Sequence, residues 1–249
     1  MIDRRASHKE LLKKLESELA GNTKRLRVKK KSVSNLFRYN GRKGASERLV
    51  DLTEFSQPLY LDPKKQTLEV QGLTRYEDIV DFALPQGFLP TITPELKNIT
   101  IGGASVGIGI ESNCYRYGFV HDGLLEADVL LPDGKIVTCT SDNAYADLFH
   151  GLPNSYGTLG YILRAKIQLR KVTPYVQLHT EKFTSINSFL QAMEQATKVV
   201  AIEYVESLSY SQNEHYLTTG KHITKPDTKL VSIYGQTIYY KEVSRPGDL

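Results

Sequence analysis

The 249-residue chain has no tryptophan, only two cysteines and no long apolar run. Cys114 and Cys139 form neither a CxxC pair nor a disulfide framework, which favours a reducing, cytoplasmic compartment. No apolar stretch approaches the roughly 20 residues that a membrane-spanning helix requires. Residues 1–20 are too charged for the apolar core of a secretory signal. The sequence therefore predicts a cytoplasmic protein without a transmembrane segment.

Signals for metal binding and for hydrolysis are also missing from the sequence. The six histidines form no H-E-x-x-H motif and no close ligand pair, so we expect no metal site. Ser155 does not fit the G-x-S-x-G pattern of a hydrolase, because Pro153 stands where the first glycine is needed.

Charge is nearly balanced, and the excess of +4 is concentrated near the N-terminus. The basic cluster consists of Lys24, Arg25, Arg27, Lys29, Lys30 and Lys31. A local cluster indicates an anion site or a solvated face, and it disfavours nucleic acid as a partner. The basic amphipathic character of residues 1–31 leaves open a peripheral contact with a membrane surface.

The apolar spacing predicts an α+β fold. Helices are predicted over residues 8–20, 74–84 and 185–200. Strands are predicted over residues 25–28, 48–52, 66–71, 123–131, 135–140, 161–169, 201–210 and 229–234. Because helices and strands do not alternate regularly, a doubly wound sheet is disfavoured. We expect an N-terminal helix in residues 1–22, a large domain over residues 23–173 and an incomplete second domain over residues 174–249.

Local motifs predict where several of these elements begin and end. Ser7 with Glu10, and Thr74 with Glu77, match the capping box that begins a helix. Turns are predicted at residues 21–22, 61–63, 85–87 and 132–134.

The most informative stretch, here called the glycine segment, covers residues 100–112. It reads Thr100, Ile101, Gly102, Gly103, Ala104, Ser105, Val106, Gly107, Ile108, Gly109, Ile110, Glu111 and Ser112. Glycines without charged neighbours expose backbone N–H groups that can bind a phosphate. The spacing fits neither G-x-G-x-x-G nor a P-loop. Glycines that only permit tight packing between a strand and a helix are an equally good interpretation.

Several motifs in a fixed order resemble one flavoprotein family. They are residues 94–96 (Pro-Glu-Leu), the glycine segment, Tyr117-Gly118, residues 131–134 (Leu-Pro-Asp-Gly), residues 147–149 (Asp-Leu-Phe) and Gly157-Thr158-Leu159-Gly160. This set resembles the FAD domain of p-cresol methylhydroxylase type, in the vanillyl-alcohol oxidase superfamily. Within it, the Gly-Ile-Glu-Ser and Gly-Thr-Leu-Gly sequences are most similar to the Δ24-sterol reductases. The resemblance spans roughly residues 25–215.

The resemblance implies that residues 23–173 form an FAD-binding domain of two α+β subdomains, followed by the start of a substrate or cap domain. It implies that FAD binds non-covalently along the glycine segment, and at a second turn through Gly157, Thr158, Gly160 and Ile162. Cys114 and His121 lie near the glycine segment, but a covalent tether is not expected. Tyr115, Arg116 and Tyr117 either line the mouth of this site or serve as packing.

One stretch departs from the family pattern. Many relatives carry a glycine-rich phosphate loop where this chain has Lys29 to Asn35. These lysines and hydroxyl groups either bind the pyrophosphate or are simply solvated.

The activity that the resemblance implies is hydride transfer between FAD and a carbon–carbon double bond of a sterol-like or other lipidic substrate, with NADPH as an electron donor. An FAD-binding module without its own turnover, and an FAD-linked oxidase or dehydrogenase of an alcohol or sugar, are alternatives. A basic protein that binds a membrane surface or nucleic acid through residues 24–31 is a further one. The sequence assigns neither catalytic residues nor an oligomeric state.

Overall fold

A computed structural model describes residues 2–30 and 47–226, and these residues form the α+β architecture that the sequence predicts. The helices of this part are α1 (Arg5–Leu19), α2 (Tyr76–Ala83), α3 (Ile101–Val106), α4 (Cys114–Tyr117), α5 (Ala146–Gly151) and α6 (Ile186–Lys198). Its strands are β1 (Arg25–Lys29), β2 (Glu47–Asp51), β3 (Pro58–Asp62), β4 (Thr67–Gln71), β5 (Phe88–Pro90), β6 (Leu124–Leu130), β7 (Ile136–Cys139), β8 (Tyr161–Lys171), β9 (Tyr175–Phe183), β10 (Tyr204–Ser211) and β11 (Glu214–Ile223). Two 3-10 helices cover Leu84–Gln86 and Val120–Gly123.

The described strands form three sheets. β1 and β2 pair in parallel. The central sheet is antiparallel, with the order β3-β4-β8-β6-β7 and with β5 paired to the end of β8. The C-terminal sheet is antiparallel, with the order β10-β11-β9. The chain passes from the central to the C-terminal sheet between Lys171 and Tyr175, and the domain boundary at residue 174 stays a prediction.

One face of the central sheet carries α2 and α3. Leu68 and Val70 of β4 are fully buried in one apolar cluster with Ile79 of α2 and Ile101 of α3. Full burial of such a side chain contributes about 1.5–3 kcal/mol. This packing fixes α3, and with it the glycine segment, on the sheet.

The opposite face of the sheet carries α1. Leu15 and Leu19 of α1 are buried in a second cluster with Leu130 of β6 and Leu163 of β8. The apolar side of α1 is thus covered by the sheet. A membrane contact of the N-terminal region would therefore depend on its basic residues and not on this apolar side.

A buried ionic network also connects α1 to the sheet. Nδ1 of His8 lies 3.3 Å from Nε2 of Gln71, and Nε2 of His8 lies 3.6 Å from Oδ2 of Asp128. Nε of Arg164 donates to the same Oδ2 at 2.6 Å, and the guanidinium also pairs with Glu126. His8, Asp128 and Arg164 are each at most 8% exposed, so the desolvated charges of Asp128 and Arg164 require these partners.

The predicted capping box at Ser7 is wrong. α1 begins at Arg5, which places Ser7 inside the first turn; Arg4 at the N-cap makes no side-chain cap, and Oδ1 of Asp3 accepts the amide of Arg5 at 3.1 Å. The start is also fixed by tertiary contacts, because the amide and the guanidinium of Arg4 donate to the carbonyls of Leu59 and Pro58, each at 3.0 Å. The end is as predicted, with Gly21 at a φ of 70°.

The capping box at Thr74 is wrong for a similar reason. α2 begins at Tyr76 without a side-chain cap. Its first amides are satisfied by a neighbouring loop, since the amide of Tyr76 donates to Ile99 and that of Glu77 to Lys97, at 2.9 and 3.2 Å. Carbonyls from a distant segment thus replace the hydroxyl cap. Gly87, at a φ of 82°, ends this region as predicted.

Most of the other predicted strands, turns and helices are confirmed, and one turn is wrong. The strands predicted before residue 211, the hairpin at residues 132–134 and the helix over 185–200 are confirmed, with ends displaced by a few residues. The turn predicted at residues 61–63 is wrong, because residues 61 and 62 belong to β3 and the chain reverses over residues 63–66. β3, β5, β9 and β11 were not predicted from the sequence. The strand predicted at residues 229–234 lies outside the described residues.

Candidate functional site

The glycine segment folds as the short helix α3 followed by an irregular stretch, and not as an open loop throughout. The side chain of Thr100 caps α3 by accepting the amide of Gly103 at 3.2 Å. Ile101, Ala104 and Ser105 are buried, whereas residues 106–112 are half-buried or exposed. The part of the segment that a ligand can reach is therefore mainly its second half.

The backbone amides in the first half of the glycine segment are bonded within the protein, whereas several in its second half are not. The amides of Ile101 and Gly102 donate to the carbonyls of Thr74 and Gly72, at 3.0 and 2.8 Å. The amide of Gly107 donates to Gly103 at 2.9 Å. Among the described residues, the amides of residues 108–110 and of Ser112 donate to no protein acceptor. These amides of the exposed and half-buried part of the segment are therefore available for the predicted phosphate contact.

Two glycines of the segment are explained by packing alone. A Cβ at Gly102 would lie 2.7 Å from the carbonyl oxygen of Gly72, and one at Gly109 would lie 2.5 Å from Cγ2 of Val120. Gly103 differs, because its Cβ would meet only the hydroxyl of Thr100, at 3.0 Å, and the residue is exposed. The packing interpretation therefore accounts for Gly102 and Gly109, and a phosphate contact of the segment stays a prediction.

The second predicted segment is a turn with unusual backbone angles. Tyr156 has a φ of 49°, and Gly157 and Gly160 have φ values of 81° and 159°. A left-handed conformation at a non-glycine residue is strained and is often found at functional sites. Thr158 closes the turn, because its hydroxyl donates to the carbonyl of Ser155 at 2.7 Å.

The structure brings the two predicted segments together. The amide of Tyr156 donates to the carbonyl of Val106 at 3.0 Å. Ile162, at the start of β8, lies against the buried end of α3, where its Cβ would be 3.4 Å from a Cβ at Gly102. The segments are about fifty residues apart in sequence, yet they form one surface.

Both segments carry exposed apolar side chains, although exposed apolar side chains also occur elsewhere on the described part of the chain. Ile108, Ile110, Tyr156, Leu159 and Tyr161 are 45%, 65%, 56%, 41% and 37% exposed. Large apolar side chains that stay exposed in this way are typical of surfaces that bind an apolar ligand or another domain. Free amides beside apolar side chains would fit a cofactor with both a diphosphate and a flat ring.

Residues 115–117 connect the glycine segment to the C-terminal sheet. The guanidinium of Arg116 donates to the carbonyls of Val199 and Ile202, both at 2.9 Å, and the hydroxyl of Tyr115 donates to Ile202 at 2.6 Å. Arg170 pairs with Glu203 and lies 5.4 Å from the ring centroid of Tyr117. These contacts indicate that residues 115–117 serve as packing. They do not support the alternative that these residues line an open mouth of the cofactor site.

Glu111 has a feature that the sequence did not predict. Burial raises the pKa of its carboxyl group to about 7, and the carboxylates of Glu95 and Glu206 act in the same direction. The amide of Glu95 donates to Oε1 of Glu111 at 2.9 Å. Burial depends on tertiary packing, so the sequence shows no signal for this shift.

Cys114 and His121, the residues near the glycine segment that could tether FAD covalently, both contact other groups of the protein. Sγ of Cys114 accepts the amide of Glu111 at 3.1 Å, and burial raises the pKa of the Cys114 thiol, which disfavours the reactive thiolate. His121 stacks on Phe119 with a centroid distance of 5.6 Å. Neither geometry supports a covalent tether, and non-covalent binding stays a prediction.

The basic stretch at Lys29 lies largely outside the described residues. Lys29 is described, and its Nζ pairs with Oδ2 of Asp51 at 2.7 Å. The predicted phosphate contact involves Lys29 to Asn35, and residues 31–35 of this stretch lie outside the described ranges. Within residues 2–30 and 47–226, no helix is long and apolar enough to cross a membrane, and no three acidic, histidine or cysteine side chains could together hold a metal ion.

Comparison with known proteins identifies a family. Residues 30–140 match a family described as an FAD binding domain. This match includes the glycine segment and ends before the turn at residues 156–160.

Curated relatives extend the match along the chain. A Delta(24)-sterol reductase of Arabidopsis thaliana is 30% identical over 190 residues, which are 72% of this chain and 33% of that protein. The Delta(24)-sterol reductase of Homo sapiens is 30% identical over 184 residues, or 74% of this chain and 35% of that protein. Cytokinin dehydrogenase 5 of Arabidopsis thaliana is 26% identical over 147 residues, or 58% of this chain and 27% of that protein. The chain spans about a third of the length of the Delta(24)-sterol reductases.

Proposed function

Because this chain carries the FAD binding domain of a flavoprotein family and is a relative of the Delta(24)-sterol reductases, we propose that it binds FAD and acts as an FAD-dependent oxidoreductase. The proposed site comprises the outward side of α3 at Gly103, the second half of the glycine segment and the turn at residues 156–162.

The observation that carries this proposal is the hydrogen bond from the amide of Tyr156 to the carbonyl of Val106. It joins the two segments that the family resemblance assigns to the cofactor. Neither segment alone distinguishes a binding site from a tight turn. Together they combine free amides at residues 108–110 with the exposed aromatic side chains of Tyr156 and Tyr161.

Each part of the surface has a distinct role in this proposal. The amides of residues 108–110 hold the diphosphate by hydrogen bonds, without a basic side chain. Gly103 leaves its side of α3 open, so the backbone can approach the cofactor closely. Thr158, Gly160 and Ile162 position the cofactor from the second segment.

FAD, when bound, supplies reversible hydride transfer, and the protein supplies orientation and exclusion of water. We propose a sterol-like or other lipidic substrate, reduced at a carbon–carbon double bond, with NADPH as the electron donor. The names of the relatives and the exposed Ile108, Ile110 and Leu159 support an apolar substrate. The similarity to a cytokinin dehydrogenase favours oxidation of a substrate by FAD as an alternative.

An absorption spectrum of the purified full chain, before and after incubation with excess FAD and desalting, tests the binding step. We expect flavin bands at close to one FAD per chain. A folded protein that stays colourless after this treatment would contradict FAD binding. It would favour the alternative in which the basic residues 24–31 bind a membrane surface or nucleic acid.

Anaerobic addition of NADPH to the FAD-loaded chain tests the activity. Bleaching of the flavin bands, and their return on adding a sterol with a side-chain double bond, would support the reductase. Bleaching by a candidate alcohol without NADPH would support the dehydrogenase. FAD that is bound but cannot be reduced would favour the alternative of a binding module without turnover.

A further inference from the structure

One short stretch, here called the strap, joins the end of the glycine segment to the C-terminal sheet. The strap comprises residues 112–117, which are Ser112, Asn113 and the four residues of α4. The carbonyl of Ser112 accepts the amide of Val205 at 2.9 Å. β10, which carries Val205, lies at the edge of the sheet that the described C-terminal strands form. The backbone that is proposed to hold the diphosphate therefore continues directly into a contact with β10.

Within the strap, Arg116 holds the loop between α6 and β10. Its guanidinium donates to the carbonyls of Val199 and Ile202, both at 2.9 Å. Val199 is the C-cap residue of α6, so Arg116 places a positive charge at the end of this 13-residue helix where the helix dipole favours a cation. The hydroxyl of Tyr115 also donates to the carbonyl of Ile202, at 2.6 Å. Side chains of the strap thus complete the end of a helix in the C-terminal part of the chain.

The strap is also fixed to the part of the molecule that contains the central sheet. The side-chain amide of Asn113, which is only 2% exposed, donates to the carbonyl of Thr91 at 2.9 Å. Cys114 and Tyr117 pack against the apolar cluster that contains Ile101 of α3. Because the strap is short and is held on both sides, we expect the positions of the glycine segment and of residues 199–205 to depend on each other.

We propose that the strap couples the binding of FAD to the docking of the C-terminal sheet, with Arg116 as the positioning residue. This inference rests on the proposed function, because it takes FAD as the ligand of the glycine segment. Within the described chain, the amides of residues 108–110 and 112 have no protein acceptor, so a bound diphosphate restrains them. Restraint of Ser112 favours its hydrogen bond with Val205. Docking of the C-terminal sheet favours FAD binding to the same extent, since coupling between two sites is reciprocal.

Hydrogen exchange of the full chain, measured by mass spectrometry with and without saturating FAD, tests one direction of the coupling. Peptides that cover residues 199–206 should gain at least about fivefold in protection when FAD binds, which is the lower end of typical coupling between two sites. The flavin absorption of the same sample reports FAD binding independently of this protection.

Titration with FAD tests the other direction. Arg116→Met removes the cation but keeps a long side chain, and we expect the dissociation constant of FAD to rise by at least about fivefold. FAD should also add less protection to residues 199–206 in this variant. Arg116→Lys keeps a cation near the end of α6, so it should lose less affinity than Arg116→Met. Arg4→Met is the matched control, since the guanidinium of Arg4 also donates to a carbonyl, that of Pro58, but does so beside α1. It should leave FAD affinity and the added protection unchanged.

FAD binding to the wild type without added protection of residues 199–206 would overturn the coupling and leave the proposed function standing. A wild type that binds no FAD would overturn both. Wild-type affinity in Arg116→Met would also overturn the coupling. If that variant fails to fold, Tyr115→Phe removes only the hydroxyl that binds Ile202, and it should weaken FAD binding by a smaller factor. Unchanged affinity and unchanged protection in Tyr115→Phe would then overturn the proposal.

Discussion

The amide nitrogen of Gly102 lies 2.8 Å from the carbonyl oxygen of Gly72, and a Cβ at Gly102 would lie 2.7 Å from the same oxygen. α3 therefore rests directly on the backbone that follows β4, with no room for a side chain. The adjacent Gly103 faces outward, and its Cβ would meet only the hydroxyl of Thr100. Gly102 thus allows α3 to pack on the sheet, whereas the neighbouring Gly103 lies on the side of α3 that is proposed to contact a cofactor.

Gly102→Ala should destabilise the protein by about 1–3 kcal/mol, because a backbone atom must move to admit the methyl group. Gly103→Ala should change stability by less than about 1 kcal/mol, since the gain in helix propensity offsets a weakened contact with Thr100. Urea unfolding of the FAD-free proteins measures both values. Similar losses in the two variants would contradict the close approach of Gly102 to Gly72.

Gly103→Val should prevent FAD uptake, because its branched side chain would occupy the outward side of α3 where the cofactor is proposed to lie. Titration with FAD, followed by flavin fluorescence, measures the dissociation constant. Gly21→Val is a matched control for the same substitution, since its Cβ would meet nothing within 4 Å and it lies outside both cofactor segments. Gly21 has a positive φ, so this control should lower stability but not FAD affinity. Wild-type affinity in Gly103→Val would refute the placement of FAD on α3.

Tyr156→Gly should weaken FAD binding without unfolding the protein. Tyr156 has a φ of 49°, so glycine relieves strain while it adds backbone entropy to the unfolded chain. We expect a net stability change within about 1 kcal/mol. The loss of an exposed aromatic ring beside Gly107 should raise the dissociation constant of FAD.

Asn154→Gly is the control for Tyr156→Gly, because Asn154 also has a positive φ, at 60°, and is also exposed. It should change stability to a similar extent and leave FAD binding unchanged. If both variants weaken FAD binding equally, the effect comes from the mobility of the turn and not from the ring of Tyr156.

The sequence predicted the fold best where a pattern is local. The hairpin at residues 132–134 combines turn residues with two β-rich runs, and both strands are present. The capping boxes failed because carbonyls of distant residues, such as Ile99, bind the first helical amides instead. β9 was missed because most of its residues are exposed, so its sequence lacks the apolar alternation of a half-buried strand.

For the candidate site too, the sequence predicted the local motifs but not the contacts between distant residues. The glycine segment and the turn at residues 157–160 were found because their motifs are short and continuous. The bond between Tyr156 and Val106 and the meeting of Ser112 with Val205 join residues far apart in sequence, so no local pattern encodes them. The raised pKa of Glu111 follows mainly from burial in the folded chain and was therefore not predictable from the sequence.

The buried network of Asp128 predicts a loss of stability in acid. Burial opposes ionisation of Asp128, but His8, Arg164 and Thr138 outweigh it and hold its pKa well below the usual value of 3.8. A carboxyl group with a lowered pKa in the folded state stabilises the protein above its unfolded pKa, and this contribution is lost as the pH falls towards the folded pKa. The free energy of unfolding should therefore decrease as the pH is lowered below about 4.

Asp128→Asn should remove this contribution. It leaves the buried guanidinium of Arg164 with only Glu69 and Glu126, so we expect a loss of about 2–4 kcal/mol at pH 7. Its stability should then depend less on pH below 4 than that of the wild type. Asp81→Asn, at an exposed position of α2, should reproduce the wild-type profile. Urea unfolding between pH 3 and pH 7 measures these profiles, and parallel curves for Asp128→Asn and the wild type would show that Asp128 does not hold the network together.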